Sequence, residues 1–482
     1  MKKVEFFVLF LVLFGGFLVR LYRFDSPILD WHSWRQADTS AVSRNFIKYG
    51  FDIFHPRFDD LSNVASGLDN PQGYRFVEFP IYNFAQAGLY KIFGNFTLEE
   101  WGRLVSIFSS LLASFFLYLL VKKYQSKFAG ISSMFFFLFI PYSIYYSRTI
   151  LPDMSMTMAV LGGIYFFDRW LSTKNFQFSI FNFQFLFAVI FTAGALLLKP
   201  YALFFTLPMI YLALRHFGFS LIKKWQLLVF LVLSLAPLVF WRIWIIQFPE
   251  GIPVTAWLFN EGNIRFKGAY FYWIFADRIS RLILGYWGIV LLMMGFMFRI
   301  KKESYLFFLS FAVSSLSYLA IIARGNVQHD YYQILILPSI CMFLGIGSEF
   351  ILKRSKEYFN TTASVLIFVI SATFMLAFGW YNVRDYFNIN NPSLIVAGNA
   401  VDRLTPKNAK IIAPYDGDTS FLYQTNRQGW ASFEKDISEM IEMGAEYLVL
   451  ASPTPKDYDT GKTYRIISSQ KEYLLFSLKE EP

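Results

Sequence analysis

The fold of this chain is decided near its start, where a strongly apolar run meets a polar one. Residues 4–21 are VEFFVLFLVLFGGFLVRL, and residues 28–46, which follow closely, are ILDWHSWRQADTSAVSRNF. The first run is long enough to cross a hydrocarbon core of about 30 Å, which takes roughly 17 to 25 residues. The second run places His, Trp, Arg, Gln and Asp side chains at the end of this span, where ionisable groups are costly unless they are paired or face a wet cavity. The sequence therefore predicts a membrane helix that leads directly into a polar site.

The composition extends this prediction to most of the chain. Of the 482 residues, 55% are hydrophobic, 21% are aromatic and 16% are charged, against about 25% charged in a typical soluble domain. Lys2 and Lys3 precede the first run as in a signal peptide, but no small-residue cleavage site follows, so we expect a retained helix. We predict an all-α membrane protein of about eleven transmembrane helices, at 4–21, 102–121, 128–147, 153–170, 181–198, 200–214, 226–247, 281–298, 304–322, 332–351 and 362–381.

The distribution of basic residues predicts how the chain crosses the membrane. The net charge is +10, but the basic residues lie in alternate short loops, which is the positive-inside pattern of membrane proteins. The charge therefore does not indicate a nucleic-acid partner. We therefore expect an integral plasma (inner) membrane protein with a cytoplasmic N-terminus and an extracytoplasmic C-terminus. The basic residues of the predicted cytoplasmic loops are Lys2, Lys3, Lys122, Lys123, Lys127, Arg169, Lys174, Arg215, Lys223, Lys224, Arg299, Lys301, Lys302, Lys353, Arg354 and Lys356.

Three segments are predicted to lie on the outer side: a first loop at 22–101, a loop at 248–280 and a tail at 382–482. In the first loop, DTSAVSRNFIKYG (38–50) has helical spacing and stops at glycine, and EFPIYNFAQAGLYKIFG (78–94) resembles a helix lying in the membrane interface. The tail predicts a small α/β domain, with strands at 409–416 and 446–452, a helix at 433–444 and a hairpin at 464–479. We therefore expect two domains, 1–381 and 382–482.

The predicted outer ends of the spans hold most of the candidate site residues. Such groups, close to the hydrocarbon, are expected to pair or to line a wet cavity. We expect them to form one acidic and basic pocket at the outer face. They are Asp30, Arg35 and Asp38 after span one, Arg75 and Glu78 before span two, Arg148 and Asp153 between spans three and four, Lys199 between spans five and six, and Arg324, His329 and Tyr331 between spans nine and ten.

Three motifs in this arrangement resemble a known superfamily. The first span leads into a large outer loop whose predicted first helix begins with an acidic residue, EFP (78–80) precedes span two, and R-x-x-x-P-D (148–153) follows span three. Together with the predicted topology, this resembles the GT-C superfamily of membrane glycosyltransferases, in the branch of protein O-mannosyltransferases and lipid A aminoarabinose transferases. The resemblance is strongest over residues 1–210.

The resemblance implies transfer of a sugar from a polyprenyl-phosphate donor to a lipid, protein or glycan acceptor, with inversion at the anomeric carbon. An acceptor hydroxyl needs a carboxylate within hydrogen-bond reach to take its proton. The lipid-linked phosphate that leaves needs Lys or Arg to stabilise its charge. We therefore assign acid–base work to Asp38, Asp30, Glu78 and Asp153. The donor and its phosphate are assigned to Lys199, Arg35, Arg75, Arg148, Arg324, His329 and Tyr331.

The sequence departs from the family pattern at the base, because the Asp-Glu pair usual in the family is replaced here by Arg35 and Gln36. Asp38 lies one turn further on and is our candidate, since a helix N-terminus favours a carboxylate. Asp30 is the rival. Asp38 could instead simply cap the helix, because Asp is a favoured N-cap residue.

The other candidates have structural alternatives as well. Glu78 could be a plain charge before a helix, and Asp153 could cap span four. Lys199 could extend to the headgroups, and His329 with Tyr331 could belong to an interfacial aromatic belt. His32 and His55 show no tight ligand spacing, so we predict no metal site and no cofactor, although a divalent metal requirement stays open.

Two rival functions remain at this point. A transporter or flippase of lipid-linked sugars would show repeat symmetry and ionisable residues at mid-membrane, and the sequence shows neither. A non-enzymatic membrane protein that binds through its tail would leave the outer carboxylates individually replaceable. The tail has no evident acid–base or phosphate pair, so we expect it to affect acceptor choice or stability more than chemistry.

Overall fold

The structure is a computed structural model that describes residues 3–173, 176, 180, 182–297, 302–354 and 360–479. The predicted span ends at Phe181 and Phe298 lie outside the described residues. So do five of the basic residues used for the predicted topology, namely Lys2, Lys174, Arg299, Lys301 and Lys356.

The described chain is mainly helical, with a small sheet in the tail. Short 3₁₀ segments occupy Pro200–Thr206, Gly218–Lys223, Pro249–Gly251, Glu261–Phe266, Asp330–Ile336, Arg384–Phe387 and Pro455–Lys462, and π-helical segments occupy Tyr272–Ile283 and Phe350–Arg354. The α-helices are α1 (Lys3–Val19), α2 (Ser33–Tyr49), α3 (Ile81–Phe93), α4 (Leu98–Tyr124), α5 (Lys127–Phe139), α6 (Pro141–Tyr146), α7 (Asp153–Leu171), α8 (Phe183–Leu198), α9 (Leu207–Phe217), α10 (Trp225–Ile245), α11 (Trp257–Asn260), α12 (Gly268–Phe271), α13 (Gly288–Met297), α14 (Lys302–Ile321), α15 (Ala323–Gln328), α16 (Leu337–Glu349), α17 (Thr361–Val383), α18 (Ser393–Leu404), α19 (Ser420–Gln424) and α20 (Ile437–Glu442). The strands are β1 (Lys410–Ile412), β2 (Gln428–Trp430), β3 (Tyr447–Ala451), β4 (Arg465–Gln470) and β5 (Tyr473–Ser477).

Contacts divide the chain into two compact units. The membrane unit comprises the described residues within Met1–Phe24, Arg103–Trp241 and Thr255–Asp385. The loop unit comprises those within Asp25–Gly102, Arg242–Val254 and Tyr386–Pro482. Most of the first loop therefore lies in the same compact unit as the tail. The division into 1–381 and 382–482 as catalytic and extracytoplasmic domains stays a prediction.

The count of eleven spans is not confirmed. Among the described residues, six helical stretches are long and apolar enough to cross a membrane, and a seventh arises if the pair Gly268–Ile283 and Gly288–Met297, bent by 111°, is one span. Predicted span three is broken between α5 and α6 because Pro141 cannot continue the hydrogen-bond ladder of the preceding turn. The apolar helices α1 and α8 are shorter, with 17 and 16 residues.

Small residues allow close helix packing in the membrane unit. α16 packs against both α5 and α13, and α7 packs against α8. A Cβ added at Gly295 would lie 2.0 Å from the carbonyl oxygen of Phe343, and one at Gly347 would lie 1.9 Å from that of Leu291. These glycines let the backbones of α13 and α16 touch, as is typical of helix interfaces in membranes.

The tail forms a five-stranded sheet in the order β2-β1-β3-β5-β4. β1 pairs in parallel with β2 and β3, and β5 pairs antiparallel with β3 and β4. The predicted hairpin and the two predicted buried strands are confirmed. β2 was not predicted, because three residues are too few to show a period of two.

The first loop completes this sheet. Asp60 forms a parallel bridge with Gly429 of β2, and the apolar cores of the tail include Leu29 and Leu61 from the loop. A Cβ on Gly429 would lie only 1.8 Å from the carbonyl oxygen of Ile411, so this strand needs glycine at that position. A shared core explains why the loop and the tail form one unit.

Candidate active site

Asp38 lies inside α2, away from its N-terminus. α2 begins at Ser33, and the N-cap position is taken by His32, which has a φ of 56° and makes no side-chain capping hydrogen bond. α2 ends as predicted at Gly50, whose φ of 101° is rarely adopted by other residues. The interpretation of Asp38 as a helix cap is therefore wrong, and so is its predicted place near the positive helix end.

Both carboxylate oxygens of Asp38 are held by hydrogen-bond donors. Oδ2 lies 2.7 Å from Nη2 of Arg75, and Oδ1 accepts a 2.6 Å hydrogen bond from the hydroxyl of Thr419. Asp38 is only 4% exposed. Burial lowers the pKa of Arg75, although the charge of Asp38 opposes this effect. The three residues come from the two ends of the first loop and from the tail.

A second ion pair lies in the same unit. Arg35 and Glu78 form a short ion pair, and Arg35 also donates to the hydroxyl of Thr39, 3.2 Å away. Glu78 therefore does more than place a charge before α3. The structure brings together four of the predicted site residues, which we call the loop cluster: Arg35, Asp38, Arg75 and Glu78.

The rival base, Asp30, is fully buried. Its Oδ1 accepts a 2.7 Å hydrogen bond from Nε2 of Gln36, one of the two residues that replace the family's acidic pair. This hydrogen bond joins Asp30, which precedes α2, to Gln36 in the first turn of α2.

Sequence reasoning missed Asp60, whose surroundings become visible only in the fold. Burial raises the pKa of Asp60 to about 7, the hydroxyl and amide of Ser62 lower it by hydrogen bonding, and the charges of Asp38 and Glu434 raise it further. A single unbroken stretch, FDDLSN (58–63), gave no signal that this carboxyl would be covered by β2.

In the membrane unit, Asp153 and Lys199 form a buried ion pair. Nζ of Lys199 lies 2.8 Å and 2.9 Å from the two oxygens of Asp153, and the residues are 6% and 3% exposed, respectively. Pro152, and not Asp153, occupies the N-cap position of α7. The interpretation of Lys199 as a side chain that extends to the headgroups is wrong, because its ammonium is buried and paired.

Tyrosine rings surround this ion pair. Nζ of Lys199 lies 5.3 Å from the ring centroid of Tyr331 and 5.4 Å from that of Tyr332, distances at which a cation is attracted by the ring. His329 stacks on Tyr331 at 5.4 Å. Tyr331 is 2% exposed, which contradicts its place in an interfacial belt. We call Asp153, Lys199, His329 and Tyr331 the membrane cluster.

Two predicted phosphate ligands have other contacts. Arg148 is 1% exposed and donates a 2.6 Å hydrogen bond to the carbonyl of Arg23. Nε of Arg324 lies 3.9 Å from a carboxylate oxygen of Glu261. That these arginines, the loop cluster and the membrane cluster share one pocket stays a prediction.

Within the described ranges, no group of three or more His, Cys, Asp or Glu side chains is arranged to hold a metal ion. His55 lies 2.8 Å from a carboxylate oxygen of Asp52. Residues that could complete a metal-binding set around this pair are not found in the described part of the chain.

Comparison with known proteins gives a partial family match and a fold match over the full length. Residues 71–244 match the family model described as dolichyl-phosphate-mannose-protein mannosyltransferase. A search of curated proteins gave no match.

Several solved structures share the fold at low sequence identity. ArnT from Cupriavidus metallidurans, bound to undecaprenyl phosphate, is 12% identical with a TM-score of 0.66, over 99% of this chain and 98% of that one. The oligosaccharyltransferase AglB from Archaeoglobus fulgidus, in complex with an inhibitory peptide and a dolichol-phosphate, is 12% identical with a TM-score of 0.57, over 93% and 70% of the chains. The arabinofuranosyltransferase AftD from Mycobacteria is 11% identical with a TM-score of 0.59, over 98% and 41% of the chains. The chain therefore shares the fold of these glycosyltransferase structures, and the resemblance predicted from the sequence is confirmed at the level of the fold.

Proposed function

We propose that this protein is a glycosyltransferase that moves a sugar from a polyprenyl-phosphate donor to an acceptor at the outer face of the membrane. The observation that carries the proposal is the fold match to ArnT bound to undecaprenyl phosphate, which covers nearly the whole of both chains. The family match over residues 71–244, to a family named for a lipid-phosphate sugar donor, supports it independently.

In this proposal Asp38 is the general base. Its carboxylate takes the proton of the acceptor hydroxyl as the hydroxyl oxygen attacks the anomeric carbon, and the bond from that carbon to the donor phosphate breaks. Attack from the side opposite the phosphate inverts the anomeric carbon. Arg75 holds one oxygen of Asp38, which fixes the carboxylate in place, and a base must be within hydrogen-bond reach of the proton it takes.

Lys199 is the proposed donor-phosphate ligand. An ammonium held in a desolvated, tyrosine-lined site stabilises a phosphate strongly. Since Lys199 is paired with Asp153, the phosphate shares or displaces that contact. When the anionic polyprenyl phosphate dissociates from the site, Lys199 pairs with Asp153 again, which prepares the site for the next donor.

The proposed orientation puts the first loop and the tail outside the cell. Single cysteines at Leu68 and Asp459, in a background where Cys341 is replaced by alanine, test it by labelling of intact cells with an impermeant thiol reagent. Leu68 and Asp459 are exposed side chains of the loop unit, whereas Cys341 is buried. We expect both cysteines to be labelled and a cysteine at the exposed Lys223 to be protected. Labelling at position 223 alone would reverse the topology.

The activity is tested with purified protein in vesicles that contain polyprenyl-phosphate-linked mannose or aminoarabinose. Mass spectrometry should find free polyprenyl phosphate and a sugar attached to an acceptor from envelope extract. A flippase would instead move the donor across the bilayer uncleaved, and that outcome would replace this proposal with the transporter alternative.

A further inference from the structure

The tail reaches the candidate base through one side chain, Thr419. This residue lies between β1 and α19 and is 381 positions from Asp38 in the sequence. Its Oγ1 lies 2.6 Å from Oδ1 of Asp38 and 3.1 Å from the carbonyl oxygen of Trp34. The short distance and the charge of the carboxylate make Asp38 the main acceptor of the hydroxyl proton, because hydrogen bonds to ionised groups are shorter and stronger than neutral ones.

A tight turn presents Thr419. The amides of Tyr415 and Gly417 both donate to the carbonyl of Ala431, at 3.0 Å and 3.2 Å. Asp416 and Gly417 have positive φ values of 51° and 79°. The carboxylate of Asp418 accepts a 2.8 Å hydrogen bond from the amide of Ser420. Backbone hydrogen bonds to Ala431, the residue after β2, thus hold the turn against the sheet. Thr419 therefore contacts Asp38 from a supported turn.

The helix that follows the turn is attached to α2 at two further points. The hydroxyl of Tyr423 lies 3.0 Å from that of Ser40. Arg44 donates a 3.0 Å hydrogen bond to the carbonyl of Tyr423, and its guanidinium lies 4.0 Å from the centroid of that ring. These contacts hold α19 against α2, and with it the turn that carries Thr419.

We propose that Thr419 is a positioning residue for the general base, so that the tail takes part in sugar transfer. The inference rests on the proposed function. Thr419 holds Oδ1 of Asp38 while Arg75 holds Oδ2, and together they fix the plane of the carboxylate. A carboxylate offers about four acceptor positions, so an acceptor hydroxyl can still donate to it in this orientation.

The test compares three variants of the full-length protein. Thr419→Val removes the hydroxyl at nearly constant volume, Thr419→Ser restores it, and Thr405→Val is the matched control, since the buried Thr405 donates only to a carbonyl in its own helix among the hydrogen bonds described, that of Val401. We expect Thr419→Val to lower kcat by about 10 to 100-fold, the range that a misplaced catalytic group costs. In Thr419→Val, KM for the donor should be unchanged. Thr419→Ser should recover kcat to within about threefold of wild type. The Thr419→Val and Thr405→Val proteins should have similar melting temperatures.

Each other result overturns the inference in a distinguishable way. Wild-type kcat in Thr419→Val would remove Thr419 from the mechanism while the wild-type turnover still supports the proposed function. Equal losses in Thr419→Val and Thr419→Ser would show that the hydroxyl is not the group that matters. A raised donor KM with unchanged kcat would move Thr419 to donor binding. Absence of sugar transfer in the wild-type protein would overturn the proposed function, and the inference with it.

Discussion

The loop cluster and the membrane cluster both bury charges, but they do so in different ways. Asp38 is held by Arg75 and Thr419, which come from the far end of the first loop and from the tail. Asp153 and Lys199, by contrast, come from α7 and from the residue that ends α8, two helices that pack against each other. The membrane pair is close to neutral as a unit. In the loop cluster, two arginines and two carboxylates lie together, with the further carboxyl of Asp60 near Asp38.

This difference suggests a division of labour. A neutral, tyrosine-lined pair between apolar helices suits a site that an anionic lipid headgroup enters and leaves. A carboxylate fixed by donors from two other segments of the chain suits a site where geometry decides the rate. The account therefore expects losses in rate from changes in the loop cluster and losses in donor affinity from changes in the membrane cluster.

The largest expected effect belongs to Asp38. Asp38→Asn keeps the size of the side chain and can still accept from Thr419, but it cannot take a proton. Sugar transfer should fall by about 100 to 10,000-fold, the usual contribution of a general base. Steady-state kinetics on purified protein measures this.

Two controls separate chemistry from stability in that experiment. Asp59→Asn changes a buried aspartate that is also paired with an arginine of α2, Arg44, and should retain activity. Asp30→Asn tests the rival base. If Asp30→Asn is the inactive variant and Asp38→Asn is active, the base is Asp30 and the loop cluster has a structural role.

An intermediate effect is expected from the membrane cluster. Removing Lys199 alone would leave the carboxylate of Asp153 buried without its partner, which typically costs about 3 to 5 kcal/mol of stability. Lys199→Ala alone is therefore unsuitable as a test of donor binding. The double variant Asp153→Asn with Lys199→Gln avoids the stranded charge, and it should weaken donor binding by about 10 to 100-fold, the value of one charge-assisted hydrogen bond.

The matched control is a second lysine–aspartate pair whose aspartate, like Asp153, lies on α7. Lys123 lies 2.6 Å from a carboxylate oxygen of Asp168, near the other end of α7. Asp168→Asn with Lys123→Gln should leave donor affinity unchanged in a binding assay with labelled polyprenyl-phosphate sugar. Equal weakening by both double variants would mean that the effect reflects general disturbance of α7.

The smallest expected effect is a pH dependence of stability caused by Asp60. Burial raises the pKa of Asp60 to about 7 in the folded protein, well above its usual range near 4, so the folded state binds more protons than the unfolded state over this interval. Stability therefore falls as pH rises from about 4 to 7 and stays lower above that range. Asp60→Asn removes the titration. The free energy of unfolding of Asp60→Asn minus that of wild type should grow over this range, by an amount on the order of a few kcal/mol.

The exposed Asp459 provides the control for this measurement. Asp459→Asn should show little change relative to wild type at every pH. A difference for Asp60→Asn that is the same at pH 4 and pH 8 would show that Asp60 does not titrate in this interval.

Sequence patterns predicted the elements of this protein better than their pairings. The end of α2 at Gly50 and the β4–β5 hairpin are local features, with signals in adjacent residues, and both are confirmed. Lys199 and Asp153 were each predicted as site residues, but no pattern links positions 46 residues apart, and the pairing emerged only from the packing of α7 and α8.

Contacts across hundreds of residues were the least predictable. Thr419 stands in an ordinary turn sequence, and its role depends on β1, β2 and α19 folding against a helix from the first loop. The bridge between Asp60 and Gly429 likewise joins the loop to a strand of three residues. These contacts place the first loop in the same unit as the tail. The local hydrophobic periodicity of the sequence cannot predict them.

One experiment tests the central claim most directly: donor binding and single-turnover transfer measured on the same preparation of Asp38→Asn, with a polyprenyl-phosphate-linked sugar and its acceptor. The account predicts donor affinity within about threefold of wild type and transfer slower by about 100-fold or more. Wild-type transfer by Asp38→Asn, in protein of equal thermal stability, would contradict the account, because the loop cluster would then bind or stabilise without supplying the base.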